Sequence, residues 1–268
     1  MTHIDVLLHH LQSKAAVLIY VESTQGSVPR ESGTWMAVFA DHLVGTIGGG
    51  NLEFQAIAEA RARLQAGDVA VKTLRYPLGP SLGQCCGGVV YLRFEFITAA
   101  DAPRLRQQCA QQLRPVALFG GGHVGHALVQ VLSRLPFQLS WIDSRDGIFP
   151  ADLPAHVHCE HSDPVQKAVP DLRPGSQVLI MSFSHAEDLD IVAACLQRQR
   201  SQGDLPFIGL IGSRTKWASF RQRLQARGFS DAELAWVTCP IGVPGIAGKE
   251  PEVIAVAVAA QLLQSITP

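Results

Sequence analysis

The sequence has little charge and no excess of either sign. It contains 22 Lys and Arg residues and 23 Asp and Glu residues among 268, and its formal net charge is −1. This balance excludes a general field for nucleic-acid or membrane binding, although a local basic pocket is compatible with it. Lysine is scarce, with 5 residues against 17 arginines, which favours bidentate recognition of carboxylate or phosphate. Any anion recognition is therefore expected at local sites.

Long apolar runs are also lacking. The runs 15–21 and 253–263 are too short to span a bilayer, and the sequence shows no export signal. With 47% apolar residues the chain can still bury a core, which excludes disorder. Free thiols in a cytoplasmic protein are therefore expected for the six cysteines, at positions 85, 86, 109, 159, 195 and 239.

Two element patterns divide the chain. The first part reads as α+β, with predicted helices at 4–11 and 51–64 and predicted strands at 16–21, 34–40 and 89–97. In the second part, short apolar strands alternate with helices, which is typical of a doubly wound parallel sheet. Its predicted strands are 116–119, 137–142, 177–183 and 207–211, and its predicted helices are 123–135, 186–200 and 214–226. We predict an α/β protein with an N-terminal α+β domain at 1–97, a linker with one helical segment at 98–114 and a Rossmann-like doubly wound domain at 115–268.

A glycine loop follows the first strand of the Rossmann-like part and opens a helix. Gly120, Gly122 and Gly125 allow a tight turn and let backbone N–H groups approach a phosphate. Asp143 ends the next strand, where an acidic residue can hold a ribose hydroxyl, and Arg145 could equally read a phosphate. Two interpretations stay open: a nucleotide site, with NAD or NADP undecided, or a loop that is structural only.

A second glycine loop lies in the first part of the chain. Gly48, Gly49 and Gly50 open the helix 51–64 and carry no side chains where a ligand or another backbone must approach. The N–H groups of the helix start favour an anion. Alternatively, the loop is a tight turn in which Glu53 satisfies the positive end of the helix.

Two adjacent cysteines, Cys85 and Cys86, precede Gly87 and Gly88. A thiolate in such a glycine-flanked loop could bind a soft metal or carry sulfur. A structural role is the alternative, and one pair of adjacent cysteines cannot build a tetrahedral zinc site unaided.

Further candidates follow strands elsewhere in the chain. Arg30 lies at the tip of a polar turn between two predicted strands, where an ordinary loop is the alternative. Gly212, Ser213 and Arg214 follow a strand of the Rossmann-like part, at the edge where doubly wound sheets bind ligands. Ser213 is a predicted helix cap, and Arg214 adds positive charge beside it.

Taken together, these segments resemble the XdhC/CoxI family of xanthine dehydrogenase accessory proteins. They follow the order of the family and cover nearly the whole chain. The segments that carry the resemblance are Gly26-Ser-Val-Pro-Arg30, Gly45-Thr-Ile-Gly-Gly-Gly-Asn-Leu-Glu53, Cys85-Cys-Gly-Gly88, Gly120-Gly-Gly-His-Val-Gly125, Asp143-Ser-Arg145, Ile211-Gly-Ser-Arg-Thr-Lys216 and Cys239-Pro-Ile-Gly242.

The resemblance implies a chaperone for the molybdenum cofactor (molybdopterin) rather than a metabolic enzyme. Members of the family hold the cofactor while a cysteine desulfurase exchanges a terminal oxo group for sulfur. They then deliver it to apo-xanthine dehydrogenase. The expected partners are the molybdenum subunit of that enzyme, the desulfurase and further copies of this chain in a homo-oligomer, with no nucleic acid and no membrane.

The resemblance also indicates a place for the cofactor. In this hypothesis the loop 48–53 and the loop 85–88 form the cradle. Cys85 or Cys86 would lie near molybdenum, and Arg30 would help to neutralise the phosphate of the pterin. The Rossmann-like domain would hold part of the cofactor, a separate dinucleotide or no ligand.

Two other function classes stay open. An NAD(P)-dependent oxidoreductase would use Gly120, Gly122, Gly125 and Asp143, with His185 as the candidate acid–base group. A scaffold would only dock the dehydrogenase and the desulfurase.

Overall fold

The computed structural model describes residues 3–79, 87–154 and 156–266. The chain divides into two compact units, residues 1–109 and 110–268, which we call the N-terminal and C-terminal units. Within the described residues each unit contains one sheet, antiparallel in the first and parallel in the second. The predicted fold class is therefore confirmed. Among the helices of the described ranges, none is long and apolar enough to cross a membrane.

The N-terminal unit is built on a five-stranded antiparallel sheet. Its elements are α1 (His3–Leu11), β1 (Ala16–Gln25), β2 (Trp35–Val38), β3 (Leu43–Gly45), α2 (Gly50–Ala66), β4 (Lys72–Pro77) and β5 (Val89–Ile97), and the division between the units falls within α3 (Ala102–Gln112). The strand order is β3-β2-β1-β5-β4. The predicted linker 98–114 thus contains a 3₁₀ turn, α3 and the first residue of the next strand.

Both faces of this sheet are covered, because successive side chains of a strand point to opposite faces. In β1, Val17 and Ile19 share one core cluster with Leu52 of α2. Leu18, between them, belongs to a second cluster with Leu7 of α1. This burial on two faces explains why β1 reads in the sequence as a continuous apolar run.

The C-terminal unit is built on a six-stranded parallel sheet. Its elements are β6 (Arg114–Phe119), α4 (His123–Leu132), β7 (Phe137–Asp143), β8 (Val157–His161), a 3₁₀ helix (Val165–Asp171), β9 (Gln177–Ile180), α5 (His185–Gln202), β10 (Phe207–Leu210), α6 (Arg214–Ala226), α7 (Asp231–Leu234), β11 (Val237–Thr238) and α8 (Pro251–Ile266). The strand order is β11-β10-β9-β6-β7-β8. Doubly wound sheets that bind dinucleotides have this strand order, and its reversal point lies between β6 and β9.

Helices cover both faces of the parallel sheet. Val116 and Leu118 of β6 share a cluster with Leu128 of α4, to which α8 also contributes. The alternate residues Ala117 and Phe119 share the other cluster, with helix α5. The sheet is therefore buried on both sides, as parallel sheets are.

Some elements were predicted longer than they are in the structure. The strand predicted at 177–183 ends at Ile180, and the helix predicted at 123–135 ends at Leu132. The strand prediction extended too far because the apolar run continues into the loop. Met181 is buried but already lies in the loop, and Phe183 is 66% exposed.

Candidate functional site

Three segments singled out in the sequence meet in the N-terminal unit. A Cβ atom built on Gly88 would lie 2.4 Å from the carbonyl oxygen of Ser27, and one built on Gly26 would lie 3.2 Å from the Cα of Gly88. A Cβ atom on Gly48 would lie 3.2 Å from the Cγ of Arg30. The turn 26–30 therefore contacts both glycine segments, and we call residues 26–30, 45–53 and 87–88 the N-terminal motif cluster.

The loop before α2 is organised by the Glu53 carboxylate. Its Oε2 accepts hydrogen bonds from the Thr46 hydroxyl at 2.5 Å, the Ile47 N–H at 3.0 Å and the Gly49 N–H at 3.1 Å. Gly48, Gly49 and Gly50 have φ values of 119°, 75° and 66°, which glycine adopts without strain. Glu53 thus makes the contacts of the tight-turn alternative, and a phosphate that used the same N–H groups would have to displace it.

Replacing Glu53 with Gln is expected to loosen this loop. The amide oxygen keeps the acceptor geometry but loses the charge, which costs about 1–2 kcal/mol for a site of charge-assisted hydrogen bonds. Hydrogen exchange at Ile47 and Gly49 should therefore accelerate about 5- to 30-fold. Glu22→Gln is the matched control, because Glu22 is exposed and no hydrogen bond or ion pair of its side chain occurs within the described chain. Equal exchange rates in the two variants would contradict the role of Glu53.

Arg30 supplies positive charge at the N-terminal motif cluster. Its side chain is exposed, and it forms no ion pair with any residue that the structure describes. Within the same ranges, a Cβ on Gly49 or on Gly87 would meet no atom within 4 Å, so both positions are open to approach. Cys85 and Cys86 lie outside the described residues.

The glycine loop of the C-terminal unit combines two tightly packed glycines with one open glycine. Gly120 has a φ of 125°, and a Cβ there would lie 2.0 Å from the Met181 carbonyl oxygen. A Cβ on Gly125 would lie 2.1 Å from the Gly120 carbonyl oxygen. A Cβ on Gly122 would meet no described atom within 4 Å. The first two glycines are thus required by backbone packing, and the third leaves room for a ligand.

Asp143, at the end of β7, is buried and fully engaged. Its Oδ2 accepts from the Gly121 N–H at 2.5 Å and from Nη2 of Arg145 at 2.8 Å. Its Oδ1 accepts from the backbone N–H of Arg145 at 2.8 Å and from its Nε at 2.9 Å. Burial acts to raise the pKa of Asp143, but these hydrogen bonds outweigh it and the pKa lies below its ordinary value. Asp143 is therefore ionised at neutral pH and paired with Arg145.

The segment after β10 forms the start of α6. The Ser213 hydroxyl caps the helix by accepting the Lys216 N–H at 3.1 Å, and Arg214 is exposed without an ion pair in the described ranges. A Cβ on Gly212 would lie 2.7 Å from the Cδ of Lys216 and 3.5 Å from Sγ of Cys239. Burial raises the pKa of the Cys239 thiol to about 11, so it is protonated at neutral pH.

Sequence reasoning missed an ion pair at this end of the sheet in which the carboxylate is buried and the lysine is largely buried. Nζ of Lys216 contacts Oδ2 of Asp188 at 2.6 Å and also donates to the Ile211 carbonyl at 2.8 Å. Oδ1 of Asp188 accepts from the backbone and the hydroxyl of Ser182, both at 2.8 Å. The pair joins the loops after β9 and β10. Lys216 stood in a noted motif, but its partner, 28 positions away, carried no signal of the pairing.

Metal ligands are not grouped in the part of the chain that the structure describes. There, no cluster of three or more His, Cys, Asp or Glu side chains could hold a metal ion. Of the predicted site residues that the structure describes, those up to Gly88 lie in the N-terminal unit and those from Gly120 onward lie in the C-terminal unit.

An antiparallel α+β unit followed by a Rossmann-type unit defines a two-unit α/β protein with a glycine-rich candidate site in each unit. Residues 10–77 match the model of the XdhC and CoxI family, and residues 116–262 match that of the XdhC Rossmann domain. The chain belongs to the XdhC and CoxI family, which confirms the resemblance found in the sequence.

Two relatives illustrate the similarity. The chain is 28% identical over 255 residues to the uncharacterized protein YqeB of Escherichia coli strain K12, a match that covers 91% of this chain and 42% of YqeB. The chain therefore spans less than half the length of that curated relative. A Bacillus halodurans protein described as a xanthine dehydrogenase has a crystal structure with a TM-score of 0.77 and 21% identity, covering 99% of this chain and 96% of that one. At 21% identity, this similarity shows that the two chains share a fold.

Proposed function

We propose that the protein is a chaperone for the molybdenum cofactor. It would hold the cofactor during sulfuration by a cysteine desulfurase and deliver it to the molybdenum subunit of apo-xanthine dehydrogenase. The observation that carries this proposal is the meeting of the three family segments at one place, the N-terminal motif cluster, in a chain that belongs to the family. We place this role in the cytoplasm and in a homo-oligomer as part of the same proposal.

The residues of the N-terminal motif cluster fit a bulky anionic cargo. Gly49 and Gly87 leave open space where a planar ring system can approach. Arg30 offers a guanidinium without a partner in the described chain, and a guanidinium pairs with phosphate in a bidentate manner. Glu53 has a different part in this proposal, because its carboxylate holds the loop and does not bind the phosphate.

The two cysteines complete the proposed cradle. They directly precede Gly87 and Gly88, and Gly88 contacts the turn that carries Arg30. Thiolates are the ligands that soft metals prefer in proteins, so Cys85 or Cys86 would contact the molybdenum side of the cargo while Arg30 contacts the phosphate side. The charge and the thiols would thus recognise opposite ends of one ligand.

Replacing Arg30 with Gln is expected to lower cargo retention. A lost charge-assisted contact to phosphate corresponds to about 1.5–3 kcal/mol, which is roughly a 10- to 100-fold weaker affinity. The measurement is the molybdopterin content of the purified full chain, determined by mass spectrometry together with molybdenum analysis. Arg61→Gln is the control, because Arg61 is likewise exposed and lies on α2.

The cysteines are tested in the same preparation with the double variant Cys85→Ser and Cys86→Ser. Loss of bound molybdenum and loss of dehydrogenase activation are expected, with Cys159→Ser as the control from β8. Unchanged retention together with unchanged activation would refute the cradle. A wild-type protein that stays empty and still activates the dehydrogenase would favour the docking scaffold.

A further inference from the structure

The C-terminal unit has its own candidate ligand site, at the reversal point of its sheet. Doubly wound sheets bind ligands outside the carboxyl ends of their strands where the strand order reverses, here between β6 and β9. The loops after these strands are in contact, since Gly120 lies against Met181. Gly122 faces open space beside them, so a ligand has access to the loop.

The acidic residue of this site does not have a free oxygen for a ribose. In dinucleotide-binding sheets an acidic side chain at the end of the second strand accepts a hydrogen bond from the ribose 2′-hydroxyl. Asp143 occupies this position, but it is 1% exposed and accepts four hydrogen bonds from Gly121 and Arg145. A ribose hydroxyl could reach it only by breaking one of these bonds.

Arg145 is held in place with part of its guanidinium left over. Nε and Nη2 face Asp143, whereas Nη1 has no hydrogen-bond partner within the described ranges. These two hydrogen bonds to Asp143 fix the plane of the group, and its central carbon lies 4.7 Å from the centre of the Phe183 ring, in a cation–π contact. The side chain is 32% exposed. A guanidinium with a fixed plane and a free edge is suited to a phosphate.

Carboxylates lie close to Arg145, so the recognition of an anion at this site depends on direct contact with its guanidinium. Asp143, and to a smaller extent Glu187, raise the pKa of Arg145. The Glu187 carboxylate accepts hydrogen bonds from the Ser144 hydroxyl at 2.6 Å and from the Phe183 N–H at 3.2 Å. The site therefore has no general positive field. Discrimination between anions must come from direct pairing with Arg145.

We propose that the C-terminal unit binds adenine nucleotides that carry a 2′-phosphate in preference to those with a free 2′-hydroxyl, and that Arg145 determines this preference. Asp143 acts as a positioning residue, because it orients the guanidinium and the glycine loop and does not itself read the ribose. The site lies in the C-terminal unit and does not depend on the cargo site proposed in the N-terminal unit.

Isothermal titration of the full chain with 2′,5′-ADP and with 5′-AMP tests this proposal. We expect at least tenfold tighter binding of 2′,5′-ADP, and the same order for NADP⁺ over NAD⁺. Arg145→Gln should remove the preference by weakening the 2′-phosphate compound and leaving 5′-AMP unchanged. Arg145→Lys should retain part of it. Arg134→Gln is the control, because Arg134 is exposed just beyond the C-terminal end of α4, at the opposite edge of the sheet.

Binding of 5′-AMP serves as an internal control for an intact loop. If Arg145→Gln weakens both nucleotides equally, the arginine is structural and the proposal fails. Equal affinities in the wild-type chain, or binding of neither compound, would also overturn it. None of these results bears on molybdopterin retention, so failure here is distinguishable from failure of the proposed chaperone function.

Discussion

Replacing Arg198 with Met is expected to lower the free energy of unfolding of the C-terminal unit by about 3–5 kcal/mol, because it leaves the Asp204 carboxylate without its buried arginine partner. Arg198 is 6% exposed on α5. It pairs in a bidentate manner with Asp204, through Nε at 3.0 Å and Nη2 at 2.7 Å. Methionine fills similar space but offers no donor.

Arg198 also satisfies the backbone of the segment that packs against α5. Nη1 donates to the carbonyl oxygens of Val169 at 2.7 Å and Pro170 at 3.1 Å, and Nη2 donates to that of Leu172 at 2.7 Å. A buried carbonyl oxygen that loses its donor costs free energy comparable to a lost hydrogen bond. The substitution therefore removes several contacts at once, which is why its expected effect is large.

Urea unfolding of the full chain measures this effect, with Arg200→Met as the matched control. Arg200 lies two positions further along α5; its side chain is half-exposed, and it pairs with Glu233, whose side chain is 13% exposed. An ion pair whose arginine stays half in water contributes less than a buried one, so the control should shift the midpoint less. Similar shifts in the two variants would show that the buried hydrogen bonds of Arg198 are not the cause.

The pH dependence provides a second measurement for Arg198. Hydrogen bonding to Arg198 lowers the pKa of Asp204 in the folded state. A carboxyl with a lowered folded pKa stabilises the protein above its unfolded pKa of about 3.9, and this stability is lost as the pH falls toward the folded value. The Arg198→Met variant should lack this part of the acid dependence.

The second large effect is expected for Gly120→Ala. The φ of 125° is strained for any residue with a side chain, and the new Cβ would lie 2.0 Å from the Met181 carbonyl oxygen. The ends of β6 and β9 would have to separate, and we expect a loss of about 3 kcal/mol or more in unfolding free energy. Thermal and urea unfolding measure it.

Gly122→Ala is the control from the same loop. Gly122 has extended backbone, with a φ of −79°, and its Cβ would meet no described atom within 4 Å. Because alanine is a weaker helix N-cap than glycine, a loss below about 1 kcal/mol is expected. If both variants lose the same stability, the close approach of Gly120 to Met181 is not what requires glycine there.

The sequence predicted the strands that are buried on both faces, but not the short or exposed strands at the edges of the N-terminal sheet. β6 and β7 were found because strands buried on both faces read as short apolar runs. β4 was not found, because it lies at the edge of its sheet and its residues are mostly exposed, so no apolar pattern marks it. The third strand of the same sheet, Leu43–Gly45, is too short to show a period.

In the candidate sites, local motifs were predictable from the sequence, whereas contacts between side chains were not. The spacing of Gly120 and Gly125 indicates a backbone requirement that a local motif can show. What the motif could not show is the engagement of Asp143 by Arg145, since the same two residues are equally compatible with a free carboxylate. The contact of Gly88 with the turn 26–30 also depends on the pairing of β1 with β5, residues far apart in the chain.

The strand orders of the two sheets have a consequence for biosynthesis. All five strands of the N-terminal sheet lie before residue 98, so this sheet can complete its hydrogen bonds while later residues are still being translated. In the C-terminal unit, the central β6 pairs with β9, which follows about 60 residues later, and the apolar face of α4 packs against α8, at residues 251–266. The nascent C-terminal unit therefore exposes a strand edge and an apolar helix face until its last helix is made, and this interval is where chaperone binding or aggregation would act.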